Sequence, residues 1–330
     1  MDFNYIFGPV PSGRLGRSLG LDLLGRPICD FDCLYCEVGK TRVHTLARQP
    51  WVRAEAILTE LENWLSLGLP RPEYITLGGK GEPCLNSEMA AVIQGVHRLA
   101  PDIPVAVLTN GTLLGNPEVQ QALKEAQVVL PSMDTLIEQE FVRLNRPCPG
   151  LDLEAIRTGI LEWGAGYGGA IYLEILLVAG INDSEANLQA MGPFCKALAP
   201  DRIDVVTMTR PGAFSVARPV DQATLDRWRQ VLNVNNGSRD FLAHVRQSAN
   251  FQSPATMTDD QLTKAILHSI AIRPQTVPQI AMAMGVREER VGNIIEHLAT
   301  KRQITGIPDA GTMFYALADQ DREKTISQIF

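Results

Sequence analysis

The sequence predicts an α/β fold: a mostly parallel sheet covered by helices, followed by a small domain of three helices and a β-wing. Between about residue 50 and residue 233, helical stripes alternate with short, almost wholly apolar runs, the pattern of parallel strands buried on both faces. About six such strands are countable, fewer than the eight of a closed β/α barrel; an open doubly wound sheet would read the same way. Past residue 257 the rhythm changes to three helices and a hairpin. The 330 residues also exceed what one core ordinarily fills, so a large domain and a smaller one are expected.

In order, an apolar strand-like run, "SLGLDLLGRPI", precedes a cysteine-rich loop. "AEAILTELENWLSLG" carries apolar residues at 54, 57, 58, 61 and 65, a helical stripe. "EYITLGG" is a strand ending in glycines, and a helix runs through "NSEMAAVIQGVHRLA". "IPVAVLTNG" is the next strand, "NPEVQQALKEA" a helix opened by Asn-Pro, and "QVVLPSMD" a strand. "LDLEAIRTGILEW", "AIYLEILLVAG", "NDSEANLQAMGPFCKAL", "RIDVVTMT" and "DQATLDRWRQVLN" continue as helix, strand, helix, strand and helix. Asn-, Ser- and Pro-rich stretches then suggest a linker over 241–257. "DDQLTKAILHSIAIRP", "TVPQIAMAMG" and "REERVGNIIEHLATKRQ" read as three helices, and "ITGIPDAGTMFYALA" as a wing turned at Pro308–Gly311. That order makes residues 258–318 a winged-helix domain, with 319–330 as a C-terminal tail.

Composition narrows the setting. The chain is 45% hydrophobic and 20% charged with a net charge of −7, and neither part carries a basic excess: 22 Lys+Arg against 28 Asp+Glu in 1–257, 8 against 9 in 258–330. That argues against a protein living on a phosphate backbone. The start, "MDFNYIFGPVPS", lacks the features of a signal peptide, and the longest apolar run contains Glu174 and is too short for a bilayer. A cytoplasmic protein with no membrane partner is expected, and in that reducing setting clustered cysteines read as metal ligands or catalytic groups.

Three of the six cysteines fall in "CDFDCLYC", at Cys29, Cys33 and Cys36. A structural zinc site wants a fourth ligand, which Asp30, Asp32 or His44 would have to supply. Burial as plain hydrophobes is disfavoured by the intervening aspartates. Three thiolates suit a [4Fe–4S] cluster with one iron left open.

The spacing C-x3-C-x2-C with Tyr35 before the last cysteine resembles the signature of radical S-adenosylmethionine (radical SAM) enzymes. The resemblance implies a partial (β/α)6 TIM-like barrel over residues 1–240. It also implies a cluster that cleaves SAM reductively to a 5′-deoxyadenosyl radical, which abstracts hydrogen from a substrate. Reduced flavodoxin or ferredoxin would be the electron donor. "GGKGEP" is similar to the family's GGE-type motif, making Gly79, Gly81 and Glu82 contacts of the SAM amino group; Lys80-Gly81 departs from the plain form. Thr109, Asn110, Ser132 and Asp134 end two later strands and are similar to ribose- or methionine-contacting positions. "FGPVPSGRLGRSLGLDLL" and "LVAGINDSEANL" resemble a subgroup containing the wyosine-base tRNA enzymes, but no cysteine precedes Cys29, so a second N-terminal cluster is not expected.

Other residues stay open at this level. Arg14, Arg17 and Arg210 read either as holders of a substrate carboxylate or phosphate or as partners of the many acids. Lys80 reads as a substrate contact or a partner of Glu82, Glu174 as a residue facing the barrel interior or a partner, and Cys84 as lying near the mouth. Cys148 falls in a loop and Cys195 on a core helix face. On the third helix of the tail, Arg287, Arg290, Asn293, Lys301 and Arg302 are opposed by Glu288, Glu289 and Glu296, a balance that suits peptide or protein contact at least as well as nucleic acid. Two other readings are a cluster-containing DNA-binding regulator and an RNA-modifying enzyme.

Overall fold

A computed structural model describes residues 3–12, 14–69, 71–234, 257–272, 274–309 and 311–318. The predicted linker lies outside the described residues except for Met257, and the predicted tail lies outside them altogether. In chain order the first strands are β1 (Ile6–Ser12), β2 (Gly16–Asp22), β3 (Ile28–Cys29), β4 (Val43–His44) and β5 (Tyr74–Gly78). They are followed by β6 (Val105–Thr109), β7 (Val128–Pro131), β8 (Ala170–Leu177) and β9 (Arg202–Thr207). The helices among them are α1 (Ala54–Ser66), α2 (Met89–Leu99), α3 (Pro117–Leu123), α4 (Glu138–Asn145), α5 (Leu153–Gly166), α6 (Glu185–Leu198) and α7 (Gln222–Val231).

Seven strands form one sheet in the order β1-β2-β5-β6-β7-β8-β9, parallel from β2 onward. The six parallel strands match the number read from the pattern. One face packs on the helices through Leu19, Leu21, Ile75, Leu77, Val107 and Ile175, where the main core lies. Ion pairing shows that the sheet is curled. Four strand spacings separate β2 from β8, about 19 Å in a flat sheet. Yet Arg14, in the β1–β2 turn, is ion-paired with Glu174 of β8, and its carbonyl accepts from Arg202 of β9 at 3.2 Å. The strands therefore wrap toward one another around an interior that holds Leu15, Ala106, Val128, Leu130 and Tyr172.

Two elements go beyond the sequence reading. β1 is an antiparallel edge strand carrying Pro9 and Pro11, residues that donate no ladder hydrogen bond and are tolerated at edges. Helix α4, opened by Glu138-Gln139-Glu140, buries only Phe141, Leu144 and Asn145, too few apolar positions to make a helical stripe in the sequence.

The C-terminal elements are α8 (Asp259–Ile272), α9 (Val277–Met284), α10 (Glu288–Thr300), β10 (Ile304–Asp309) and β11 (Thr312–Leu317), in the order expected. They close over a core of their own built from Leu262, Ile266, Ile280, Val291, Ile295 and Leu298. Helix α9 starts in a capping box between Thr276 and Gln279 and stops at Gly285 in the left-handed region, as its sequence demands. Helices α8 and α9 pack against the edge strand β1. No described helix is long and apolar enough to cross a membrane.

Candidate iron–sulfur and cofactor site

The cysteine loop leaves β3 and runs antiparallel to the chain at the end of α4. Cys148 N donates to Asp30 O at 2.8 Å, Asp32 N to Asn145 O at 3.0 Å, and Leu34 N to Leu144 O at 2.9 Å. This ladder fixes the loop that carries Cys29, Cys33 and Cys36, all three half-buried. Side-chain amides meet two of the sulfurs: Asn110 Nδ2 lies 3.8 Å from Cys29 Sγ, and Asn145 Nδ2 lies 3.6 Å from Cys33 Sγ.

The alternative zinc ligands are engaged elsewhere. Asp30 accepts from Asn110 Nδ2 at 2.6 Å and from the Thr112 hydroxyl. Asp32 accepts from Thr41 N at 2.8 Å and pairs with Arg146 at 3.2 Å, while the His44 ring meets the Asp30 carbonyl. Among the described residues no three His, Cys, Asp or Glu side chains converge closely enough to hold a single ion, as tetrahedral zinc requires. Burial pushes the Cys29 and Cys33 thiols well above their ordinary range and Cys36 up to about 11. A bound metal cluster must displace those protons, and three sulfurs on one short loop with N–H donors aimed at them fit a cluster that does so.

The "GGKGEP" turn straps onto β3. Ile28 N donates to Lys80 O and Glu82 N to Ile28 O, so the backbones run so close that a Cβ on Gly81 (φ +144°) would sit 1.7 Å from the Ile28 oxygen. Gly79 (φ +120°) packs against Asp22 and Phe7. Lys80 pairs with the buried Asp22 at 3.5 Å and with Gly25 O at 3.1 Å, and not with Glu82. Glu82 is buried, and protein donors already occupy both its oxygens: Cys84 N at 2.9 Å, the Thr109 hydroxyl at 2.8 Å and Asn110 N at 2.7 Å. Burial, with Asp30 adding to it, raises its carboxyl to about 7. An ammonium arriving at Glu82 would meet a carboxylate already tied into the protein.

Asn110, Ser132 and Asp134 are brought together, lining one cavity with Tyr35, Phe31 and Asn145. Asp134 is buried and accepts from Tyr35 Oη at 2.5 Å, Asn145 Nδ2 at 3.1 Å and Leu176 N at 3.0 Å. It thereby joins the cysteine loop to β8. Gly79, Gly81, Glu82 and Thr109 sit outside this lining, connected to it through Asn110.

The remaining candidates resolve mostly as structural. Arg17 donates to the Arg71 carbonyl at 2.7 Å, Arg210 pairs with Glu37 at 3.1 Å, and Arg14 holds Glu174 in the interior. Cys84 is fully buried, its Sγ 3.5 Å from the Thr109 hydroxyl, rather than at a mouth. Cys195 lies in the α6 core, and Arg290 is tied to Asp259 at 2.7 Å. Asn145, Thr112 and Asp30 gained roles that no local pattern announced.

Residues 25–188 match the family model described as Radical SAM superfamily. A UPF0026 protein of Helicobacter pylori is 33% identical over 214 residues, covering 64% of this chain and 69% of the relative. A GTPase Obg of Brachyspira hyodysenteriae is 28% identical over 312 residues, covering 94% of this chain, which spans only 45% of that longer protein. Among solved structures, HydG, a maturase of the [FeFe]-hydrogenase, is similar over 94% of this chain and 81% of its own, with 14% identity and a TM-score of 0.50.

Proposed function

We propose, from the premise that the chain belongs to the radical SAM superfamily and within it among the proteins described as UPF0026, that it is an enzyme cleaving SAM reductively to abstract hydrogen from a substrate. What supports it is one loop bearing three free cysteines whose Phe31 and Tyr35 line a cavity together with Asn110, Ser132 and Asp134. Cys29, Cys33 and Cys36 would hold a [4Fe–4S] cluster, which when bound supplies the electron that breaks a sulfonium bond. This chain's part is to hold and shield. The ladder to residues 144–148 fixes the cysteine loop, Asp134 locks Tyr35 over the cavity, and Glu82 ties the loops after β5 and β6 into one support.

An acidic electron donor such as reduced flavodoxin or ferredoxin suits the face beside the cysteine loop. There Lys40 and Arg146, the latter also paired with Asp32, lie 5.0 and 4.4 Å from the Phe214 ring, and the exposed Val142 lines a cavity with Arg146, in a chain whose net charge is −7. We read residues 258–318 as a winged-helix module. At the two ends of α10 the exposed Arg287, Lys301 and Arg302 are offset by Glu288, Glu289 and Glu296, a balance that favours protein or peptide contact over DNA. Anaerobic reconstitution tests the cluster: roughly four irons and four sulfides per chain are expected. One zinc and no sulfide would end the reading.

A further inference from the structure

The two asparagines that meet the cysteine sulfurs do so in the same way. Asn110 Nδ2 spans Cys29 Sγ (3.8 Å) and Asp30 Oδ1 (2.6 Å). Asn145 Nδ2 spans Cys33 Sγ (3.6 Å) and Asp134 Oδ2 (3.1 Å). Each amide nitrogen has two protons, so one can be given to the carboxylate and the other to the sulfur. Both carboxylates are anchored in turn, Asp30 by the Thr112 hydroxyl and Asp134 by Tyr35 and Leu176 N. The amides are therefore oriented toward sulfur and not left to rotate. At Cys36 the donors are backbone N–H groups, those of Val38 and Gly39.

This gives Asn110 a different task from the SAM contact its sequence position suggests. Asn145, at the end of α4, has no motif to mark it. We propose that Asn110 and Asn145 are positioning residues that donate N–H···S hydrogen bonds to two of the three cluster ligands, held by Asp30 and Asp134, and so set the reduction potential of the cluster. The inference rests on the proposed function in needing a cluster on these cysteines. Its physical basis is that a donor on a ligand sulfur stabilises the added negative charge of the reduced state, so each such bond raises the potential.

The test is a one-electron potentiometric titration of the anaerobically reconstituted parent, Asn110→Leu and Asn145→Leu, followed by electron paramagnetic resonance. Leu keeps the volume and removes the donor. With iron and sulfide contents equal to the parent's, each variant is expected to be reduced at a more negative potential, and the double variant at a lower one still. Equal contents with unchanged potentials would overturn the proposal and leave the cluster assignment standing; a parent that takes up no cluster would instead defeat the underlying reading. A second measurement needs no variant. In parent protein grown with 15N-asparagine, pulsed resonance of the reduced cluster should show hyperfine coupling to two side-chain nitrogens, and its absence would overturn the proposal even if the leucine variants fail to assemble.

Discussion

Replacing Lys80 by Met isolates the carboxylate beneath the "GGKGEP" turn. Asp22 is 1% exposed and its Oδ2 has no hydrogen-bond partner, so the Lys80 ammonium 3.5 Å away is its principal compensation. At an effective dielectric of ~20, unit charges at that separation attract by about 5 kcal/mol. Breaking a buried pair by removing one partner costs about 3–5 kcal/mol. The loss has a definite pH signature. Burial raises the Asp22 pKa and Lys80 lowers it, so removing Lys80 lifts it further. A raised folded pKa contributes stability that is complete below the unfolded value, about 3.9, and is lost as pH rises through the folded value. The gap between parent and Lys80→Met should thus be small at pH 4.5 and reach about 3–5 kcal/mol at pH 8. Urea titration of the metal-free protein, followed by fluorescence of its four tryptophans, measures it. Adding Asp22→Asn should restore most of the loss, because the orphaned charge goes with it. A gap equal at both pH values, or a double variant no more stable than Lys80→Met, would show that the buried Asp22 charge is not the source of the loss.

Glu82, with its carboxyl raised to about 7, should make the metal-free protein lose stability as pH rises from about 4.5 through 7, and Glu82→Gln should flatten that stretch of the melting-temperature profile. The same substitution turns an amide donor toward backbone N–H groups, so at pH 5, where the parent carboxyl is largely protonated, a loss of about 1–3 kcal/mol is also expected from chemical denaturation. Gly81→Ala should free β3 from the turn, since its Cβ would overlap the Ile28 carbonyl. Faster limited proteolysis between residues 28 and 44 and loss of most iron uptake would show it.

The helices α1 and α2 and the strands β5, β6 and β8 were legible because each is amphipathic or continuously apolar for its own local reasons: Ile57, Leu61, Val92 and Val96 turn to the core at helical spacing. The cysteine triad was legible because its spacing is itself local. β1 was hidden by Pro9 and Pro11, which read as loop until an edge strand is known to need few donors. The support beneath the site was hidden for another reason. Asp30 meets Thr112 and Asn110 across about eighty residues, and Asn145 meets Cys33 across more than a hundred, so only the folded sheet brings them together. The positions of Lys80 and Glu82 could be read from the motif, but not that Asp22 takes the first and three protein donors the second.

Reductive SAM cleavage is measured by incubating anaerobically reconstituted protein with SAM and dithionite and quantifying 5′-deoxyadenosine by chromatography. Release with methionine in equal amounts is expected from the parent, and none from Cys33→Ala, which removes a proposed cluster ligand from the loop. Release by the alanine variant at the parent's rate, or none from a parent loaded with four irons, would contradict the proposed reaction.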